Sequence, residues 1–272
     1  MSARIILAGC GNMGFAMLQG WLGTGIVHPS AVLVAEPNDA FRRRAEELGA
    51  RVAAGAEGIE EDEKPELVVV AVKPQVIRAV LEGYRRFGGG ATSFLSVAAG
   101  TLVSTFVEAV GQGTPVMRAM PNLPAAVGKG VIGLFAAPDV PPATRDFAEK
   151  LLAANGSVVR VESEGMIDAV TAVSGSGPGY VFLFIEALAQ AARSFGFSEE
   201  DALVLARDTV WGAGALVHET RGDPGELRRQ VTSVGGTTAA GLSVLMTEDR
   251  LQRLVGGAVE AALNRAKELA KS

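Results

Sequence analysis

A predicted strand opens into a predicted helix through a glycine-rich turn in the stretch Ile5-Ile6-Leu7-Ala8-Gly9-Cys10-Gly11-Asn12-Met13-Gly14. In a G-x-G-x-x-G turn, Gly9 permits the tight bend, Gly11 lets a pyrophosphate approach, and Gly14 lets helix and strand pack closely. The pattern alone is weak, because a tight strand–helix turn without a ligand satisfies it too. Here it stands at the first strand–helix junction of an alternating region, which favours a dinucleotide-binding site.

Strand and helix signals alternate up to residue 162. Strands are predicted at Ile5–Ala8, Val32–Ala35, Leu67–Val72, Ser93–Val97, Pro115–Arg118 and Val158–Val161. Helices are predicted at Met13–Leu22, Asp39–Leu48, Gln75–Tyr84, Leu102–Val110 and Ala143–Ala154. Strands that are apolar throughout are typical of a sheet buried on both faces, so this region is expected to form an α/β, doubly wound, mostly parallel sheet.

From residue 163 to residue 272 the strand signals vanish and an all-α domain is predicted. Its helices are expected at Glu164–Ser194, Glu199–Val217, Gly225–Gln230, Thr238–Met246 and Glu248–Leu269. The segment Ser174-Gly175-Ser176-Gly177-Pro178-Gly179 interrupts the first of these. Because proline and glycine disturb helical hydrogen bonding, this segment is expected to kink the helix or to open a point of close approach.

Composition excludes several classes of function. The net charge is −5 and no sustained basic face appears, so nucleic acid is not an expected partner. With two histidines and one cysteine, no metal site is expected, and internal disulfides are excluded. No uninterrupted apolar run approaches the roughly 20 residues that span a bilayer, and a strand follows the amino terminus at once. The sequence therefore predicts a cytoplasmic protein without a membrane segment.

Glu36 ends the second predicted strand, about 20 residues beyond the glycines, where an acid accepts hydrogen bonds from an adenosine ribose. An acid there repels a 2′-phosphate, which favours NADH. The nearby arginines 42–44 suit a phosphate, which favours NADPH, although a solvated helix face explains them equally well. A solvent-facing Glu36 with no ligand is the alternative. The choice between the two dinucleotides stays open.

Further candidate cofactor contacts follow the next strands. Small residues at the carboxyl ends of parallel strands let backbone groups line a cofactor crevice, as at Ala71, Val97 and Ala99. Lys73 is a possible contact or simply a solvated strand-end lysine. Asn122, in the turn Met120–Pro124, has the chemistry to hold a carboxamide, but it can equally satisfy its own turn.

The turn Thr232-Ser233-Val234-Gly235-Gly236-Thr237-Thr238 precedes a predicted helix. Two adjacent glycines let backbone N–H groups approach a ligand, and the start of a helix leaves about four N–H groups without partners. Such a turn binds a carboxylate or phosphate without arginine or lysine. The alternative is a loop that ends in an ordinary threonine N-cap.

Six segments, in this order and at these spacings, resemble pyrroline-5-carboxylate reductase: GCGNMG, AVKPQ, VAAG, MPNLP, IDAVTAVSGSGPGY and VTSVGGTT. The resemblance covers essentially the whole chain. It implies an amino-terminal Rossmann domain (residues 1–162) and an all-helical dimerisation and substrate-binding domain (residues 163–272). It also implies a homodimer with shared active sites and, in some members, a decamer of five dimers. The implied reaction is the reduction of L-1-pyrroline-5-carboxylate to L-proline by NADPH or NADH, the last step of proline biosynthesis.

The resemblance also implies site residues by position. Thr238 would lie near the imine nitrogen as the catalytic residue. The substrate would be bound by Glu164, Ser233, Gly235, Gly236, Thr237 and Thr238. The cofactor would be bound by Gly9, Gly11, Asn12, Met13, Gly14, Glu36, Ala71, Lys73, Pro74, Val97, Ala99, Asn122 and Gln230. Three positions depart from the family pattern, Asp223, Val234 and Met246, and none lies on the expected hydride path.

Two other functions compete with this one. A reductase of another small imine or a β-hydroxyacid would share the two-domain plan, but such enzymes typically use a catalytic lysine early in the long helix. No lysine lies between Asp168 and Gly196. A non-catalytic dinucleotide-binding sensor would keep the glycine turn but would not need the turn at residues 232–238.

Overall fold

In the computed structural model, which describes residues 3–270, the amino-terminal part of the chain forms one sheet of eight strands. The strands are β1 (Ile5–Ala8), β2 (Val32–Ala35), β3 (Arg51–Ala53), β4 (Leu67–Val70), β5 (Ser93–Ser96), β6 (Val116–Met120), β7 (Gly130–Ala136) and β8 (Gly156–Arg160). Their order in the sheet is β3-β2-β1-β4-β5-β6-β7-β8. Every pair is parallel except β6 with β7, which confirms the predicted mostly parallel sheet.

Five helices pack on the two faces of this sheet: α1 (Asn12–Gly23), α2 (Asp39–Glu47), α3 (Ile77–Glu82), α4 (Val103–Val110) and α5 (Pro142–Ala153). Alternate residues of β1 point to opposite faces, so Ile5 and Leu7 join one apolar core and Ile6 and Ala8 join the other. The first core also contains residues of α1, α2 and α5, and the second contains residues of α3 and α4. The sheet is therefore doubly wound.

Strand register brings the cofactor turns to one edge of the sheet. Ala8 pairs with Ala35 of β2 and with Val70 of β4, and Val70 pairs with Ser96 of β5. The turns that follow these four strands therefore begin side by side. In open α/β sheets, ligands bind at this carboxyl edge, where the strand order reverses.

Two strands were not predicted, β3 and β7. The first has three residues, too few for a periodic signal. The second contains Gly130 and Gly133, which are poor strand formers, but a Cβ at Gly133 would lie 2.6 Å from the side chain of Val170. Close packing of a helix on β7 thus explains the glycine at position 133. Because glycine is a poor strand former, the sequence did not predict this strand.

The rest of the chain is helical, as predicted. After β8 come α6 (Met166–Val170), a π-helical segment (Thr171–Gly175), α7 (Gly177–Ser194), α8 (Glu199–Thr220), α9 (Pro224–Gln230), α10 (Thr237–Met246) and α11 (Arg250–Leu269). The last helix begins at Arg250 rather than at Glu248, because Glu248 and Asp249 both have a positive φ of 53°. The predicted interruption of the long helix takes the form of the π-helical segment.

The chain divides into two units. The first contains the residues up to Ser176 and those from Ala262 onward, and the second contains Gly177–Ala261. The second unit buries little of its own apolar surface: α8 buries only Ala202 and Ala206 among its 22 residues, while Trp211 is 73% exposed. Monomeric proteins rarely expose apolar surface on this scale, so these helices are expected to pack against another chain.

One helical stretch of the described residues, Met166–Ser194, is long and apolar enough to cross a membrane by length and composition. The expectation concerned uninterrupted apolar runs, and this stretch is interrupted by Ser174–Gly179 and by Glu186. An 18-residue window of this stretch reaches a mean hydropathy of 1.2, and 11% of that window is buried. Helices buried between subunits have the same composition.

Candidate functional site

A cleft of about 440 Å³ lies at the carboxyl edge of the sheet. It is lined by the glycine-rich turn, the end of β2 and the turn after β4, and its polar lining includes Glu36, Glu57 and Lys73. Tyr84 closes part of its wall and is 2% exposed. Its position matches the place where doubly wound sheets bind the adenosine half of a dinucleotide.

Each glycine of the G-x-G-x-x-G turn meets a backbone requirement of its own. Gly9 has a φ of +91°, a conformation that residues with side chains rarely adopt. A Cβ at Gly11 would meet no atom within 4 Å, so the space above it is open. A Cβ at Gly14 would lie 2.3 Å from the carbonyl oxygen of Gly9, so only glycine permits this approach of α1 to β1. This geometry suits a bound pyrophosphate.

Glu36 is buried, with 7% of its surface exposed, so the interpretation as a solvent-facing residue is wrong. Its Oε2 accepts a hydrogen bond from the Cys10 N–H at 2.7 Å, and its Oε1 accepts one from the Asn38 N–H at 2.8 Å. The carboxylate therefore ties the glycine-rich turn to the end of β2. Each oxygen keeps a further lone pair for a ribose hydroxyl.

The arginines that follow Glu36 are not a solvated helix face, which corrects that interpretation. Arg42 donates to the Glu36 carbonyl at 2.8 Å. The guanidinium of Arg44 lies 4.3 Å from the ring centroid of Phe15, and Arg44 also donates to the Cys10 carbonyl. Of the three, Arg43 is exposed, whereas Arg42 and Arg44 are partly buried.

Cys10 lies within the glycine-rich turn and is buried. Burial, and secondarily the neighbouring Glu36 carboxylate, raises the pKa of its thiol to about 11, while Arg44 opposes the shift. The thiol therefore stays protonated at neutral pH and is not a nucleophile. No group of three or more histidine, cysteine, aspartate or glutamate side chains within residues 3–270 has the geometry to hold a metal ion.

The predicted contacts after β4 and β5 lie at the same edge of the sheet. Ala71 and Lys73 line the cleft, and Lys73 is exposed, with no ion pair to another described residue. Pro74 begins a short 3-10 turn before α3 and is also exposed. Val97 is buried and Ala99 is partly exposed in the turn that leads to α4. Asn12 and Met13 form the first turn of α1.

Asn122 is buried and its side chain joins two backbone groups. Its Nδ2 donates to the Ser174 carbonyl at 2.9 Å, and its Oδ1 accepts from the Val131 N–H at 2.9 Å. In an α-helix the Ser174 carbonyl would accept from residue 178, but Pro178 has no N–H. Asn122 thus supplies the missing donor and fixes the π-helical segment to β7, while its contact with the cofactor stays a prediction.

Asn122→Ala is expected to lower the free energy of unfolding by about 2–4 kcal/mol, because it leaves the Ser174 carbonyl and the Val131 N–H without partners in a buried site. Urea unfolding at fixed protein concentration measures this change. Asn38→Ala is the control, since the Asn38 side chain caps the exposed start of α2 and its loss should cost about 1 kcal/mol. Equal losses in the two variants would contradict the bridging role.

Glu164 lies just before α6, and its side chain pairs with Arg118, a residue that belongs to no sequence motif. Glu164 Oε1 accepts from Arg118 Nη1 at 3.0 Å and from the Val103 N–H at 2.7 Å. Arg118 is on β6 and is 2% exposed. A lone arginine inside an apolar strand was the only sequence signal for it. Glu164 keeps 29% of its side chain exposed, so a substrate contact stays a prediction.

The turn at residues 232–238 lies in the second unit and is largely exposed. Gly235 has a φ of 71°. The N-cap residue of α10 is Gly236, which has no side chain to accept a hydrogen bond from the start of the helix. The alternative of a threonine N-cap is therefore wrong. Thr237 and Thr238 form the first turn of α10 and are exposed. A helix start of this kind offers backbone N–H donors to an anion.

The remaining predicted residues of the second unit are also at the surface. Ser233 is exposed, and a Cβ at Gly236 would lie 2.4 Å from its Oγ and 3.2 Å from its carbonyl oxygen, so a side chain at Gly236 would require the Ser233 hydroxyl to rotate away. Gln230 is the last residue of α9 and is exposed. Its role near the nicotinamide stays a prediction.

Known proteins match both parts of the chain. Residues 164–269 match the family described as pyrroline-5-carboxylate reductase dimerisation, and residues 4–100 match the family described as NADP oxidoreductase, coenzyme F420-dependent. The pyrroline-5-carboxylate reductase of Methanosarcina acetivorans is 36% identical over 269 residues, which cover 98% of each chain. The chain belongs to the pyrroline-5-carboxylate reductase family.

Solved structures of this family agree with the fold. A pyrroline-5-carboxylate reductase from Coxiella burnetii superposes with a TM-score of 0.93 at 34% identity and covers 100% of both chains. The Plasmodium falciparum pyrroline carboxylate reductase, solved with NADP bound, superposes with a TM-score of 0.82 at 26% identity over 98% of both chains. The amino-terminal sheet is thus the NAD(P)-binding domain of a family oxidoreductase, and the helical part belongs to an oligomeric assembly.

Proposed function

We propose that this protein reduces the C=N bond of L-1-pyrroline-5-carboxylate to L-proline with NADPH or NADH, as the last step of proline biosynthesis. The observation that carries the proposal is the exposed turn of Gly235 and Gly236 before α10, in a chain with full-length relatives of that activity. The turn offers backbone donors to the substrate carboxylate. Each charge-assisted hydrogen bond contributes about 1.5–3 kcal/mol, so three or four are enough to hold a small acid.

The residues act mainly by positioning. Bound reduced nicotinamide supplies a hydride, and the protonated cyclic imine that accepts it is already a strong electrophile. The turn at residues 232–238 would fix which ring face is presented, and Thr238 would hydrogen-bond the ring nitrogen. A threonine hydroxyl is a poor acid, so we assign proton delivery to solvent. Orientation of this kind can provide most of the acceleration, and it requires neither a metal nor a nucleophile.

The assembly we propose is a cytoplasmic homodimer with active sites shared between subunits, built from domains of residues 1–162 and 163–272. The exposed apolar surface of α7 and α8 supports pairing of the helical domains. A decamer of five such dimers is the larger assembly to be tested. Sedimentation velocity of the purified protein distinguishes monomer, dimer and decamer directly.

The proposed reaction is tested by following oxidation of the reduced nicotinamide in the presence of pyrroline-5-carboxylate, with NADPH and NADH at matched concentrations. Turnover that forms proline supports the proposal. Turnover only with another cyclic imine or with a β-hydroxyacid would support the related reductase. Dinucleotide binding without turnover of any of these substrates would support the sensor.

Glu36→Gln is expected to raise the ratio of kcat/KM for NADPH to kcat/KM for NADH by about tenfold, because two like charges 4 Å apart repel by about 1–4 kcal/mol near a protein surface. The ratio is the readout, since both dinucleotides share any loss from the weakened hydrogen bonds to Cys10 and Asn38. Glu57→Gln removes an exposed charge from the same cleft and should shift the ratio much less. An unchanged ratio in Glu36→Gln would show that Glu36 does not select the dinucleotide.

A further inference from the structure

We infer that Arg118 and Glu164 form a positioning pair that sets the cofactor turn between β5 and α4. The inference rests on the proposed function only in taking this turn as a dinucleotide contact. Neither residue needs to touch the dinucleotide. Instead, the pair determines where α4 begins and thereby where Val97 and Ala99 lie.

The turn between β5 and α4 is short and closely packed. Gly100 has a φ of +70°, and a Cβ on it would lie 3.3 Å from the backbone of Leu269 at the end of α11. The Ser96 Oγ accepts a hydrogen bond from the Ala98 N–H at 3.3 Å. A displacement of α4 by a fraction of an ångström is therefore passed on to the turn rather than absorbed by it.

The start of α4 has no cap of its own. Its N-cap residue, Leu102, has no side-chain acceptor, and the first N–H of the helix, that of Val103, donates instead to Glu164, 61 positions further along the chain. A carboxylate at a helix start satisfies a free N–H and interacts favourably with the helix dipole. Glu164 thus replaces a local cap with one anchored before α6.

Arg118 holds this carboxylate in place from the neighbouring strand. It pairs in register with Ser96, the last residue of β5, and donates to the same oxygen of Glu164 that caps Val103. Its Nε and Nη2 are buried and have no hydrogen-bond partner among residues 3–270. Glu164 is the acid with which Arg118 forms an ion pair in the described chain. The strand, the carboxylate and the helix start are therefore coupled.

The test uses the full-length protein and measures dissociation constants of NADPH and NADH without substrate, by quenching of protein fluorescence. Glu164→Ala and Arg118→Met are expected to raise both constants about tenfold. Glu164→Gln keeps an oxygen for the Val103 N–H and should raise them about threefold or less. The double variant Arg118→Met with Glu164→Met removes the buried Arg118 charge together with its partner, so it should recover thermal stability while its dissociation constants stay raised.

Two outcomes would overturn the inference. Recovery of dinucleotide affinity together with stability in the double variant would show that the pair only stabilises the fold. Unchanged dinucleotide constants, with a raised KM for pyrroline-5-carboxylate in both Glu164→Gln and Glu164→Ala, would make Glu164 a substrate contact instead. The dissociation constants are measured without substrate. A protein that binds the dinucleotides but does not reduce pyrroline-5-carboxylate would therefore still test the role of the pair.

Discussion

Replacing Gly14 by alanine is expected to raise the dissociation constant for the dinucleotide by about 100-fold. The new Cβ would lie 2.3 Å from the Gly9 carbonyl oxygen and 3.3 Å from the Ala71 Cβ, so α1 must move away from the glycine-rich turn. Backbone oxygen cannot rotate aside as a flexible side chain can. Loss of one or two charge-assisted hydrogen bonds to the pyrophosphate, at about 1.5–3 kcal/mol each, corresponds to a factor of about 100 in the dissociation constant. Fluorescence titration with NADPH measures the change.

Gly23→Ala is the matched control for Gly14→Ala. Gly23 is the last residue of the same helix, and a Cβ there would meet no atom within 4 Å. The control should leave dinucleotide affinity unchanged, whereas Gly14→Ala should also lower the free energy of unfolding by about 1–3 kcal/mol through overpacking. Dinucleotide affinity within twofold of the parent protein in Gly14→Ala would contradict the close-packing role of this glycine.

The parts of the fold that could be predicted from the sequence are those determined by residues close to one another along the chain. The limits of β1 and β2 follow from short apolar runs, and the role of Gly14 follows from its spacing to Gly9. β7 could not be predicted, since its glycines are explained only by Ala125 and Val170, which pack on them from elsewhere in the chain. The periodicity of a sequence reports the conformational preference of each residue. It carries no information about the residues that pack against it in the folded chain.

The same limit applies to the site. The surroundings of Glu36 could not be predicted, because the Cys10 N–H that it accepts from lies 26 positions away. The pair of Arg118 with Glu164 spans 46 positions, and neither residue belongs to a recognisable local motif. Asn122 had a predicted chemistry, but only the structure identifies the Ser174 carbonyl as the group that it satisfies.

Replacing Thr238 by alanine is expected to lower kcat/KM for pyrroline-5-carboxylate by about 10- to 100-fold, the worth of one hydrogen bond to a charged group. Thr238 is exposed in the first turn of α10, where alanine is a better helix former, so no loss of folding is expected. Steady-state kinetics at saturating NADPH measures the loss. The dissociation constant for NADPH should stay within twofold, because the side chain is assigned to the substrate alone.

Two further variants distinguish the contribution of the Thr238 hydroxyl to kcat/KM from that of its methyl group and from any general effect of removing a threonine. Thr238→Ser keeps the hydroxyl and should restore most of kcat/KM. Thr24→Ala removes an exposed threonine whose hydroxyl donates, within residues 3–270, to the carbonyls of Gly20 and Trp21, and it should not change the kinetics. Full activity of Thr238→Ala would remove the assigned contact with the ring nitrogen. It would leave the backbone donors at the start of α10 as the groups that orient the substrate, because their N–H groups are unchanged by the substitution.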